Sequence, residues 1–73
     1  MATATYEVTG MTCEHCVRAV TGELSVLGGV GRVIVDLVPD GRSRVTVISH
    51  APIPDQVIAA ALNEAGDYRL AGA

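Results

Sequence analysis

The chain has no tryptophan, no phenylalanine and no lysine, and its only aromatic residues are Tyr6 and Tyr68. A core without large rings has to be assembled from Val, Ile, Leu and Ala, and in 73 residues such a core leaves a thin margin of stability. The five cations are all arginines, scattered over positions 18, 32, 42, 44 and 69 against eight acidic residues, for a net charge of -3. A nucleic-acid binder would show a clustered basic face, so that class is excluded. No apolar run approaches the ~20 residues that cross a bilayer. The opening Met1-Ala2-Thr3-Ala4-Thr5 has neither the basic region nor the apolar run of a secretory signal. Direct membrane insertion is therefore not expected, and the expected location is cytoplasmic. A chain this short buries only ~60% of its unfolded surface and leaves room for one domain. Hydrolytic chemistry finds no support: no Ser, His and acid constellation is legible, and Gly28-Gly29-x-Gly31 lacks the partner residues of a phosphate-binding loop.

Against these absences stands one concentration. Both cysteines lie within four residues, in Gly10-Met11-Thr12-Cys13-Glu14-His15-Cys16. In a reducing compartment two close cysteines point to metal ligation or redox work rather than to a structural disulfide. The surrounding pattern gives them a place. Thr3 to Thr9 alternates Tyr6 and Val8 with Thr5, Glu7 and Thr9, the period of a strand with one buried face. Gly10 ends that strand and permits a change of direction, and Met11 turns back toward the core as a flexible plug. From about Glu14 the spacing of Val17, Val20, Leu24 and Leu27 is helical, with a stop expected at Gly28-Gly29. Gly22 sits inside this helix on its other face.

Val30 to Val38 reads as a second strand, with Val33, Val35 and Leu37 on one side and Arg32, Ile34 and Asp36 on the other. Pro39-Asp40-Gly41 predicts a tight turn into a third strand, Arg42 to Ser49, with Val45 and Val47 facing inward. Ser49-His50-Ala51-Pro52 is a loop, and Pro54-Asp55 opens a second helix with Val57, Ile58, Ala61, Leu62 and Ala65 as its stripe. Gly66 is placed as its C-terminal cap, and Tyr68 to Ala71 as a short edge strand. Strand, helix, strand, strand, helix, strand is an α+β order whose natural packing is a four-stranded antiparallel sheet with both helices on one face.

In that setting Cys13 lies in a loop and Cys16 in the first turn of a helix, where unpaired backbone amides and the helix dipole favour a thiolate. Two thiolates and nothing more suit Cu(I), which accepts low coordination numbers. A structural zinc site needs four ligands, and no second pair exists here. An under-coordinated ion on an exposed loop is open to attack by a partner's thiolates, so such a site suits transfer better than storage.

Gly10-Met11-Thr12-Cys13-x-x-Cys16, followed by an amphipathic helix and the inferred element order, resembles the heavy-metal-associated domain family, and within it the small bacterial copper chaperones. The resemblance covers essentially residues 1–73, as one such domain. It implies a ferredoxin-like βαββαβ sandwich, Cu(I) held by Cys13 and Cys16, Met11 as a buried support of the loop, and delivery to the metal-binding domain of a copper-transporting P-type ATPase. Zinc and cadmium relatives commonly carry an acidic residue before the first cysteine; Thr12 stands there, which favours copper. In the bacterial chaperones a tyrosine often directly follows the glycine that closes the second helix and lies near the metal. Here the run is Gly66-Asp67-Tyr68, so either the loop bulges and Tyr68 still reaches the site, or Asp67 takes its place.

Other readings stay beside these. His15 could be a third ligand, or bridge a second Cu(I) in a copper-bridged homodimer, but residues inside a Cys-x-x-Cys loop usually point outward, and an incidental exposed histidine is the preferred reading. Glu14 favours the helix N-terminus. His50 reads as a surface residue, and Met11 as core rather than as a thioether ligand. Two alternative functions remain: a metal-binding domain excised from the N-terminus of a metal ATPase, and a thiol-disulfide oxidoreductase in which one thiolate attacks and the other resolves. The start at Met1 and the end soon after the last strand favour a free-standing chaperone. The oxidoreductase is disfavoured because a thioredoxin-type pattern around the pair is missing.

Overall fold

Alternation of small polar and apolar residues builds β1 (Ala2–Thr9), which turns Ala4, Tyr6 and Val8 inward and Thr3, Thr5 and Glu7 outward. It is followed by α1 (Glu14–Ser25), β2 (Val30–Asp36), β3 (Ser43–Ser49), α2 (Asp55–Ala65) and β4 (Arg69–Leu70). The computed structural model describes residues 1–39 and 41–71. The strands form one sheet in the order β2-β3-β1-β4, each pair antiparallel. Each half of the chain is a strand-helix-strand unit whose two strands are separated in the sheet by a strand of the other half. The order and antiparallel pairing agree with the sequence-based expectation.

The inner face of the sheet contributes Val8, Val45 and Val47 to a core that also takes Val20 and Leu24 from α1 and Ile58 and Leu62 from α2. Both helices therefore lie on one face. Each of these side chains contributes ~1.5–3 kcal/mol by leaving water, so the absent aromatics are replaced by many small aliphatic terms. Met11 joins the same cluster from the loop after β1. The outer face is polar: Thr5 and Thr46 lie opposite each other with their hydroxyls 3.2 Å apart, and Glu7 pairs with Arg42 at 3.2 Å. That ion pair is exposed and contributes at most about 1 kcal/mol.

Element ends differ from the sequence-based reading for identifiable reasons. α1 stops at Ser25 instead of continuing to the glycines; Val26 is 78% exposed, and Leu27 returns to the core through a turn in which its amide donates to the Leu24 carbonyl at 3.2 Å. A register shift between Val30 and Arg32 marks a bulge at Gly31, a local kink that alternation alone does not reveal. β2 ends at Asp36 and β3 begins at Ser43, because Ser43 is wholly buried and its hydroxyl accepts the Val38 amide at 2.9 Å, closing the hairpin from inside. The Gly41 amide donates to the Val38 carbonyl at 3.2 Å, as a tight turn requires, while Asp40, assigned to that turn, lies outside the described residues. β4 is two residues long, with the Ala71 amide extending the ladder to the Glu7 carbonyl at 2.8 Å; Tyr68 has left the strand. No helix among the described residues is long and apolar enough to cross a membrane.

Candidate metal centre

The loop between β1 and α1 is shaped by two side chains and one backbone angle. Gly10 adopts φ +95°, a conformation that L-residues rarely take, and turns the chain off the sheet. Met11 then drops into the core at 1% exposure and anchors the loop. Held from below in this way, Thr12, Cys13, Glu14 and His15 all face solvent. Cys13 caps α1 with extended backbone (φ -154°, ψ 175°), and its carbonyl accepts the amides of Cys16 at 3.1 Å and Val17 at 3.3 Å. Its side chain makes no capping bond, which leaves the sulfur to pair with that of Cys16.

Cys16 occupies the first turn of α1, half-buried against the core, with its sulfur 3.7 Å from that of Cys13. The Thr12 hydroxyl lies 4.0 Å from it. The Cys16 thiol is pulled down from 9.0 to about 6, first by the backbone amide of Thr12, then by the Tyr68 hydroxyl and the Cys13 amide, against a smaller opposing effect of burial. The surroundings of this sulfur therefore favour the thiolate. Tyr68 is pushed in the opposite direction, to about 12, chiefly because its hydroxyl donates to Cys16 and also because burial and the nearby thiolates oppose a second negative charge. It remains a protonated donor throughout the physiological range.

Tyr68 reaches the cysteines in spite of the extra residue before it, and Asp67 does not take its place. The Asp67 side chain is 94% exposed and lies 4.0 Å from Arg69. The extra residue is taken up at Gly66, the C-cap of α2, whose backbone is extended (φ 163°, ψ -155°) instead of left-handed as a glycine cap usually is. His15 is exposed, and among the described residues no group of three or more His, Cys, Asp or Glu side chains comes together. His50 is exposed just after β3, its amide bonded to the Gly29 carbonyl at 2.9 Å. Sequence reasoning did not anticipate the Thr12 amide as the main support of the Cys16 thiolate, nor the contact of Gly66 with the Tyr68 ring. The spacing Gly66-x-Tyr68 is the one trace these leave in the sequence.

A small βαββαβ sandwich that presents a dithiol at its first strand-to-helix junction is the class of protein that this fold and geometry define. The chain belongs to the heavy-metal-associated domain family, which matches residues 5–67. Among solved structures, it is similar to apo-CopP from Helicobacter pylori, at 32% identity over 89% of this chain and 94% of that one, with a TM-score of 0.64. It is also similar to the copper(I)-loaded first domain of the human copper chaperone for SOD1, at 32% identity over 99% of this chain and 97% of that one, with a TM-score of 0.67. A CopZ metallochaperone shares the ferredoxin-like fold at a TM-score of 0.74, over 94% of this chain and 98% of that one, at 23% identity. No curated protein matches the sequence.

Proposed function

We propose that the protein is a copper carrier that binds one Cu(I) through Cys13 and Cys16 and passes it by thiolate exchange to the metal-binding domain of a copper-transporting P-type ATPase. The observation that carries this is the pair of sulfurs 3.7 Å apart at an exposed junction, with no third His, Cys, Asp or Glu gathered around them among the described residues. Two soft thiolates fit a soft monovalent ion and leave a zinc ion short of ligands. The copper(I)-loaded human domain, 32% identical over nearly its whole length, supports the same cargo.

An ion held near-linearly between the two thiolates requires the sulfurs to move apart from their 3.7 Å separation. Cys13 can make that movement, being exposed and bonded through its side chain only to Cys16, while Cys16 is also held by the Thr12 amide and Tyr68. The division of labour sets the order of exchange. An incoming thiolate forms a bond to the ion, the Cys13-metal bond breaks, and the freed Cys13 sulfur takes a proton from water. A second incoming thiolate then displaces Cys16. The Thr12 amide and the Tyr68 hydroxyl offset the negative charge of the dithiolate, in a chain that has no lysine to do so.

The oxidoreductase alternative calls for an exposed thiolate as the attacking group, whereas the favoured thiolate is the inner one, Cys16. A carrier rather than an enzyme, working in the cytoplasm as one domain over residues 1–73, is the corresponding reading. To test it, the Cu(I)-loaded protein is mixed with an acceptor domain bearing its own Cys-x-x-Cys pair, the two are separated, and copper is measured in each. Copper moving to the acceptor from wild type supports the proposal; copper retained by wild type in the presence of excess acceptor contradicts it.

A further inference from the structure

The ring of Tyr68 lies against two glycines from different parts of the chain. A Cβ added at Gly66 would stand 2.8 Å from Cε2 and 3.1 Å from Cζ of the ring, closer than side chains tolerate. A Cβ added at Gly10 would stand 3.5 Å from Cδ1 of the same ring and 2.9 Å from the Asp67 carbonyl oxygen. The first glycine ends α2, and the second begins the loop that carries Cys13 and Cys16. The ring of Tyr68 thus occupies a slot of space that a side chain at either glycine would need, and its hydroxyl is near enough to Cys16 to favour the thiolate there.

The two glycines are required for different reasons. Gly10 needs its φ of +95°, which any side chain would strain. Gly66 is in extended backbone that any residue adopts, so its own conformation does not call for glycine. What excludes a side chain there is the ring.

We propose that Gly66 is a positioning residue acting through Tyr68: its bare Cα seats the ring with the hydroxyl on Cys16, and the seated tyrosine slows loss of the bound ion. The second half rests on the copper-carrier reading; the slot itself does not. A methyl group at position 66 forces the rigid ring out of its seat, and the hydroxyl leaves with it. The dithiolate complex then loses one donor to its negative charge, and the ion departs faster.

The slot is tested on metal-free protein by nuclear Overhauser contacts from the Gly66 and Gly10 α-protons to the Tyr68 ring, and from the ring to the Cys16 β-protons. Wild type should show all three, and Gly66→Ala should lose the contact to Cys16 while remaining folded. Release is tested by stopped-flow transfer of Cu(I) to an excess of a chromogenic bidentate chelator. Gly66→Ala and Tyr68→Phe should each speed release roughly tenfold to a hundredfold, the range of one hydrogen bond to a charged group, and Gly66→Ala should add nothing in a Tyr68→Ala background. Gly10→Ala should keep its effect in that background, because its strain is in the backbone. The proposal is overturned if wild type lacks the Gly66-to-ring contact, or if Gly66→Ala acts equally with and without Tyr68. Failure of wild type to hold Cu(I), with the ring contacts present, would count against the carrier reading and leave the slot standing.

Discussion

The chain passes from strand to helix twice, and the two junctions share a hydrogen-bond pattern while differing in every side chain that matters. At the first, the Cys13 carbonyl accepts the amides of Cys16 and Val17 at 3.1 and 3.3 Å; at the second, the Pro54 carbonyl accepts those of Val57 and Ile58 at 3.0 and 3.3 Å. Neither helix has a side-chain cap, and each begins with one acidic residue, Glu14 or Asp55. At the second junction the positions of the two sulfurs are filled by Pro54 and Val57, and prolines at 52 and 54 stiffen the approach. The first is bent by Gly10 and pinned by Met11. A helix opening with free amides is thus not what makes the candidate site. The sulfurs do, together with a loop fold that brings the Thr12 amide and Tyr68 onto one of them.

The largest effect that separates the two junctions is expected in their anchors. Met11 is fully buried, so Met11→Ala should cost about 2–5 kcal/mol of unfolding free energy in urea titration. Ile53, the half-buried counterpart before α2, should cost clearly less on the same change to Ala. Equal losses would mean that the first loop is not specially pinned. Moving the dithiol is a second way to break the comparison. Pro54→Cys with Val57→Cys, in a Cys13→Ser and Cys16→Ser background, should bind Cu(I) at least about tenfold more weakly than the native pair, the worth of one hydrogen bond to a charged group. Equal affinity would show that the shared helix opening suffices.

The acidity of Cys16 gives a third contrast. Its folded value of about 6 lies below the ordinary 9.0, so folding favours the thiolate. That contribution to stability is complete above pH 9.0 and is lost as the pH falls through about 6. Alkylation of Cys16, followed by peptide mapping, should therefore slow about tenfold between pH 7 and pH 5, and the midpoint should rise in Tyr68→Phe. A midpoint that stays fixed would remove Tyr68 from the site. The smallest effect lies behind the junction: α2 has no internal glycine, whereas Gly22 of α1 faces open space. Gly22→Ala should raise stability by about 1 kcal/mol, read as a shift in the urea midpoint, without altering copper binding.

The sheet and both helices were legible because alternation and helical spacing are local signals. Val33, Val35, Val45 and Val47 face inward as their parity predicts, and Val20, Leu24, Ile58 and Leu62 lie in the core as their spacing predicts. Element ends were less legible, since Val26 and Leu27 continue the apolar pattern of α1 past the point where the backbone hydrogen bonds stop. The bulge at Gly31 and the burial of Ser43 depend on partners across the sheet, which a single sequence does not display. Spacing and residue type singled out the cysteine pair. The surroundings of Cys16 could not be read in the same way, because Tyr68 comes to it through the extended backbone of Gly66, a tertiary feature that leaves only a one-residue offset in the sequence.

The central claim is that two sulfurs at one junction hold copper. Competition for Cu(I) against a chromogenic chelator under reducing conditions, for wild type, Cys13→Ser and Cys16→Ser, tests it most directly. The expected result is that wild type retains the ion and each variant weakens retention by more than about a hundredfold, beyond what loss of an outer partner costs. Wild type holding Cu(I) no better than Cys16→Ser would contradict it.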